Sequence, residues 1–160
     1  MNQFETDDQN GRQKFKKDFQ KFYHIEDTQE FDHTDMLMTA YTTNKVYNVE
    51  LKKRCYPIQE LSGSTILEKT KLQAFREALR RDKDRQIIYF NYYLNGDWIA
   101  FDLTGRIKYN EGLQKTGIRE LPCTSSIDTG SRDKEVVYLY YVNNMYVQDR
   151  IHINNNNNKS

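Results

Sequence analysis

The chain is poor in the residues that staple or punctuate small secreted folds. Its 160 residues include two cysteines, Cys55 and Cys123, and two prolines, Pro57 and Pro122. Two thiols do not build a disulfide framework, and the prolines read as loop punctuation. No run approaches the ~20 apolar residues of a membrane-spanning helix. The opening MNQFETDDQNGRQ is too polar and acidic for a secretory signal. The expectation is a soluble, cytoplasmic protein in a reducing compartment, with no membrane partner. G-x-S-x-G, P-loop and G-x-G-x-x-G patterns are all missing, which removes support for a hydrolase elbow or a nucleotide cradle. His24, His33 and His152 match no zinc spacing, and no internal repeat is visible.

Net charge is also small, with 24 basic against 23 acidic side chains, but the charges are unevenly placed. Residues 1–44 carry 5 basic and 9 acidic groups, whereas residues 45–85 carry 11 and 6. A locally basic middle can follow a phosphate backbone; it can equally be a solvated helix face. The apolar fraction of 37% is low, yet 12 Tyr and 8 Phe restore the capacity to bury a core. The length suits one domain over residues 1–153. The Asn-rich stretch 154–160 can bury nothing and is expected to be a disordered tail.

Periodicity sets out the elements. Phe15, Phe19, Phe22 and Tyr23 form an apolar stripe for a first helix over about residues 8–23. Thr65 with Glu68 reads as a capping box, and Leu72, Phe75 and Leu79 then mark a second helix to about residue 82. Between them, residues 35–54 read as a hairpin. The pair Asn95-Gly96 between aromatic runs predicts another, placing Ile88, Phe90, Tyr92 and Leu94 on one face with Ile99, Phe101 and Leu103. Residues 105–133 are expected to be irregular, and a last hairpin to turn at Asn143-Asn144. Helix, strands, helix, strands is an α+β or α/β sandwich.

Chemistry concentrates in the first hairpin. A turn at Thr43-Asn44 puts Met36, Met38 and Ala40 on one face with Leu51, Val49 and Tyr47, all apolar. The opposite face collects Asp35, Glu50 and Lys52, with Asp35 across from Lys52 and Leu37 across from Glu50. Two carboxylates and an ammonium then share one patch. Such a patch suits Mg²⁺, which takes hard oxygen ligands together with waters and substrate phosphates. A lysine beside it can orient a water or stabilise developing negative charge. The same three residues also make an ordinary cross-strand ion pair on a solvated sheet.

Asp35 opening the run Asp35-Met36-Leu37-Met38, with 14 residues between it and Glu50 of Val49-Glu50-Leu51-Lys52, resembles the PD-(D/E)XK nuclease superfamily, the restriction-endonuclease-like or Holliday-junction-resolvase-like proteins. The resemblance covers about residues 8–93. It implies a mixed central sheet flanked by two helices, an αβββαβ core, with the extra C-terminal β-hairpins as decoration. It implies Mg²⁺ or Mn²⁺ bound by Asp35 and Glu50, Lys52 as the catalytic lysine, and a further polar residue from the second helix, Lys71 first, with Lys69 or Gln73 as substitutes. The implied activity is metal-dependent hydrolysis of nucleic acid, DNA before RNA, of phage or mobile-element type. The basic residues Lys53, Arg54, Lys69 and Arg76 are expected to contact nucleic acid, and many relatives work as homodimers. The flank departs from the pattern: it is Asp32-His33-Thr34-Asp35, with no proline, and the first helix offers Asp18 in place of a glutamate.

Other candidates read as structural. Cys55 has core parity and is expected to be a buried thiol, and Cys123 lacks a recognisable partner. Arg80, Arg81, Lys83 and Arg85 suit the C-terminal dipole of the second helix or flanking phosphates. Tyr93 with Trp98 could stack bases. The alternatives to an enzyme are a nuclease-like module that only binds nucleic acid or a protein, and an interaction protein with an incidental D…ExK.

Overall fold

The computed structural model describes residues 3–28, 34–122, 130–141 and 150–153. Helix α1 (Gln3–Phe19) leads into strands β1 (Tyr23–Asp27), β2 (Met36–Ala40) and β3 (Val46–Lys53). Strand β4 (Ser64–Glu68) runs directly into α2 (Lys69–Arg81), which is followed by β5 (Gln86–Tyr92) and β6 (Trp98–Asp102). Helix α3 (Leu103–Tyr109), β7 (Thr116–Pro122), β8 (Ser131–Tyr140) and β9 (Arg150–His152) complete the order. The main sheet is six-stranded, ordered β1-β2-β3-β5-β6-β9, and mixed because β3 and β5 run parallel. A second, antiparallel sheet has the order β4-β8-β7.

The parallel pair is central, so both of its faces must be covered. One face carries Met36, Met38, Val49, Leu51 and Phe90, and α1 closes it with Phe15, 1% exposed and edge-on to Phe90 at 5.0 Å. The other face carries Ile87, Tyr89, Ile99 and Phe101. Over it lie Leu72, Phe75 and Leu79 of α2 with Val137 and Leu139 of β8, so the stripe expected for the second helix is buried as anticipated.

Several local expectations fail for identifiable reasons. Helix α1 ends at Phe19, and Tyr23 opens β1 instead, leaving Phe22 62% exposed in the turn. Thr65 and Glu68 do not cap α2: both belong to β4, where Thr65 is buried and pairs across from Leu139, and Glu68 makes no side-chain cap. Segment 105–133 contains much of α3 and all of β7. Its helix starts on Asp102, whose carboxylate accepts the Thr104 N–H. The Asn95-Gly96 hairpin closes with three loop residues, Leu94–Gly96, held by Tyr93 N–H to Asp97 O at 2.8 Å. That shifts the register by one residue, so Phe90 faces Ala100 and Ile99 and Phe101 go to the opposite face. Strands β8 and β9 do not form a hairpin with each other: β8 joins β4 and β7, and β9 joins β6. The turn expected at Asn143-Asn144, the tail 154–160, Asp32, His33 and Cys123 lie outside the described residues. Among the described residues, no helix is long and apolar enough to cross a membrane.

Candidate active site

Strands β2 and β3 pair with Met36 across from Val49 and Met38 across from Tyr47. This is two residues away from the register expected with a turn at Thr43-Asn44. The hairpin instead tightens at Tyr41–Thr43, with Ala40 N–H on Lys45 O at 3.0 Å. A two-residue shift leaves every side chain on its face but changes its neighbour. The paired register ends at Met36, so Asp35 lies just outside β2 and not opposite Lys52.

Main-chain bonds fix Asp35 from two sides. Its N–H donates to Val49 O at 2.9 Å, and its carbonyl accepts from Thr28 N–H at 3.0 Å. The adjoining Thr34 hydroxyl accepts from Asn48 Nδ2 at 3.1 Å in a buried contact. The Asp35 carboxylate is fully engaged: Oδ2 accepts the Leu51 N–H at 2.8 Å, and Oδ1 accepts from Arg12 Nη2 of α1 at 3.0 Å. Burial raises the Asp35 carboxyl above its ordinary range, with the Leu51 N–H and Arg12 opposing.

Glu50 is only 4% exposed, so the site is less open on this side than a solvated sheet face would be. Its surroundings are polar: Oε1 lies 3.3 Å from Lys71 Nζ in the first turn of α2. Burial, and then the neighbouring Asp35 charge, push the Glu50 carboxyl up to about 7, while Lys52 and Lys71 pull it down. Lys52 is half-buried and acts electrostatically on both carboxylates. Glu50 therefore pairs with Lys71 and lies near enough to Asp35 and Lys52 to interact with both electrostatically. A carboxylate pair carrying more negative charge than burial tolerates has the hard oxygen chemistry that fits Mg²⁺ or Mn²⁺. Among the described residues no group of three His, Cys, Asp or Glu side chains assembles, so waters and phosphate oxygens would complete the shell.

The basic residues scatter. Lys53 is exposed on the α1 side of the sheet, and Lys69 pairs with Glu135 at 3.4 Å. Arg76 is half-buried on α2. Arg54 turns inward, donating to Asn91 Oδ1 at 2.9 Å, Tyr89 Oη at 2.9 Å and Ile66 O at 3.3 Å. It thus braces the two sheets instead of projecting as a phosphate contact. Arg80 and Arg81 are tied to Glu77, and Arg85 to Asp82. Gln73 is exposed. Cys55 is exposed, contrary to its parity, because β3 ends at Lys53 and the alternation stops there. Tyr93 is buried at 4% exposure, and the Trp98 ring stacks on His152 at 5.5 Å, so they do not form an open pair for bases. Asp18 accepts from the Tyr92 hydroxyl at 2.7 Å, on the sheet face opposite the site.

By structure, the chain is similar to the Holliday junction resolvase Hjc of the archaeal hyperthermophile Archaeoglobus fulgidus, with a TM-score of 0.50 and 11% identity over 81% of this chain and 82% of that one. The fold is restriction-endonuclease-like. No protein-family profile matches the sequence, and no curated protein matches it. In the restriction-endonuclease-like fold of this chain, α1, β1–β3, α2 and β5 supply the αβββαβ order, and β4 is inserted before α2. Two residues beside these candidates lie outside the sequence expectations. Arg12 stands three residues before Phe15 and seven before Phe19, so a charge on the apolar stripe of α1 was the available signal. Asn91, with 0% exposure on β5, faces Lys52 across the parallel register. A polar residue within the apolar run IIYFNYYL marked it.

Proposed function

We propose that this protein is a metal-dependent nuclease that hydrolyses phosphodiester bonds, with DNA as the first candidate substrate and Asp35, Glu50 and Lys52 as its catalytic centre. What supports this reading is the electrostatic coupling of Asp35, Glu50 and Lys52, together with the Glu50–Lys71 pair, within a restriction-endonuclease-like fold. Asp35 and Glu50 would hold Mg²⁺ or Mn²⁺. When bound, the ion makes a water more acidic and neutralises charge on the phosphoryl group. Asp35 is oriented by the Leu51 N–H, which fixes where its second oxygen can point. Lys52, close enough to feel both carboxylates, would hold the proton balance at the attacking water or stabilise the negative charge that develops on phosphorus-bound oxygen. Lys71 would hold Glu50 in place and lower the cost of ionising it. The similarity to a Holliday junction resolvase makes branched DNA the first substrate to try, and a cytoplasmic, homodimeric enzyme remains part of the proposal.

The test is cleavage of linear, single-stranded and four-way DNA, and of RNA, with Mg²⁺ and with EDTA, by the wild type and by Lys52→Ala. Metal-dependent cleavage by the wild type that falls about 10²-fold or more in Lys52→Ala supports an enzyme. A second reading, a binding module on the same fold, draws on the ion pairs of Asp35 with Arg12 and of Glu50 with Lys71, which occupy both carboxylates. Retention of DNA at low salt, without cleavage of any form, would favour that reading.

A further inference from the structure

Arg12 reaches Asp35 from α1. Its guanidinium donates to Asp35 Oδ1 at 3.0 Å, to the Asp35 carbonyl at 3.3 Å and to Asp8 Oδ2 at 3.0 Å, and it lies 3.8 Å from Asp27 Oδ1. Two of these three carboxylates tolerate its loss. Asp27 keeps a second cation, Lys16 Nζ at 2.9 Å, and Asp8 is well exposed to water. Asp35 has neither safeguard. Its side chain is 19% exposed, and among the described residues Arg12 is the one cation within ion-pair distance of it. With Oδ2 engaged by the Leu51 N–H, Oδ1 is where an incoming cation would bind. That oxygen carries the guanidinium. A divalent ion arriving there meets a like charge about as close as an ion pair, and in a half-buried site that repulsion is poorly screened.

From this geometry we infer that Arg12 is a built-in counter-cation of the site, holding Asp35 in the absence of metal and competing with a divalent ion for its Oδ1. The inference rests on the reading of Asp35 as a metal ligand and adds a regulatory contact to it. Binding of the ion becomes an exchange in which the helix-borne guanidinium leaves the oxygen that the ion takes. Arg12 is not a catalytic residue in this role, because it acts on the ligand and not on the substrate. Its anchorage is rigid, since Phe15, one turn further along α1, is buried against Phe90. Release therefore requires a side-chain rotation and not a movement of the helix.

The test is a titration of Mn²⁺ alone into the intact chain, followed by calorimetry, for wild type, Arg12→Gln, Arg12→Lys, Asp35→Asn and the double variant Arg12→Gln/Asp35→Asn. Arg12→Gln is expected to bind Mn²⁺ about tenfold more tightly than wild type, a usual scale for coupling between two ligands that bear on one another. Arg12→Lys, which restores the charge, is expected to return affinity toward wild type, and Arg12→Met is the second charge-removing variant, with the same expected gain, if the glutamine form does not fold. The gain must vanish in the double variant; a gain that persists there places the ion on Asp8 or Asp27 and overturns the inference. Weaker or unchanged binding in Arg12→Gln, with Asp35→Asn still weaker than wild type, also overturns it, while leaving Asp35 as a ligand. Equal binding by wild type and Asp35→Asn removes both readings at once.

Discussion

Replacing Glu50 by Gln gives the sharpest test of the electrostatics at this site, because it removes one charge while keeping shape and hydrogen-bonding capacity. The Glu50 carboxyl titrates at about 7 in the folded chain, against an ordinary value of 4.5. Below the lower value both states hold the proton, and burial costs no charge. As pH rises through 4.5 the unfolded chain releases its proton while the folded chain retains it, so stability falls until the folded carboxyl also ionises near 7. The loss through this group amounts to about 3 kcal/mol. Glutamine has no such dependence. Lys71 loses its partner in the variant, but its side chain is 33% exposed, so the cost should stay under about 1 kcal/mol. Urea denaturation in EDTA is the assay. At pH 4.5 the two proteins should unfold at similar urea concentrations, whereas at pH 8 Glu50→Gln should be more stable by about 2 kcal/mol. Repeating the pH 8 measurement with saturating Mn²⁺ should shrink or reverse that advantage, because the ion stabilises the ionised wild type. A difference between variant and wild type that does not change with pH would refute the reasoning, as would a variant less stable than wild type at pH 8.

Three further outcomes are expected. Asp35→Ala and Glu50→Ala should each weaken Mn²⁺ binding measured by calorimetry, and DNA added to the wild type should tighten it by supplying phosphate oxygens; unchanged binding in both variants places the ion elsewhere. Lys52→Ala should leave DNA affinity in filter binding nearly intact, with the salt slope changed by only about one, because one phosphate contact is lost among several. Phe15→Ala should destabilise the protein by about 3 kcal/mol in chemical denaturation, since a ring with 1% exposure leaves a cavity between α1 and the sheet; a loss below about 1 kcal/mol would mean that α1 is not held by this face.

The face of the site was legible in the sequence for a reason specific to strands. Alternation places Glu50 and Lys52 together for any even register, so the two-residue difference in pairing leaves that pair on one face, whereas Asp35, just outside β2, is set by its own main-chain bonds. The β5–β6 hairpin shows the converse. There the error was one residue, because Asn95 and Gly96, at φ 68° and 80°, share a three-residue loop with Leu94 rather than forming a two-residue turn. Both hydrophobic assignments of β6, Ile99 and Phe101, consequently changed face. Thr65 and Glu68 have the spacing of a helix start, but Ile66 and Leu67 between them suit a strand, and pairing with β8 prevails over the local signal. Burial of Glu50 could not be read from pattern, since it depends on α2 and the second sheet being packed over that face. Arg12 was visible only as an anomaly in an otherwise apolar stripe; its partner across the chain, Asp35, is a matter of tertiary structure.

The bracing by Arg54 has a consequence for how the protein behaves in a crowded solution. Strand β4 is at the edge of its sheet, with β8 on one side only. An open edge is a template on which another chain can add a strand, the first step of many aggregation routes. Here the Ile66 carbonyl accepts from Arg54 Nη2 at 3.3 Å and from the Tyr89 hydroxyl at 3.1 Å, both reaching over from the other sheet. A foreign strand would have to displace a guanidinium and a phenol before it could pair there. On the opposite edge, β7, the Ile118 side chain is 69% exposed. At β4, loss of the Arg54 side chain would remove one of the two groups that guard the edge and so favour strand addition there.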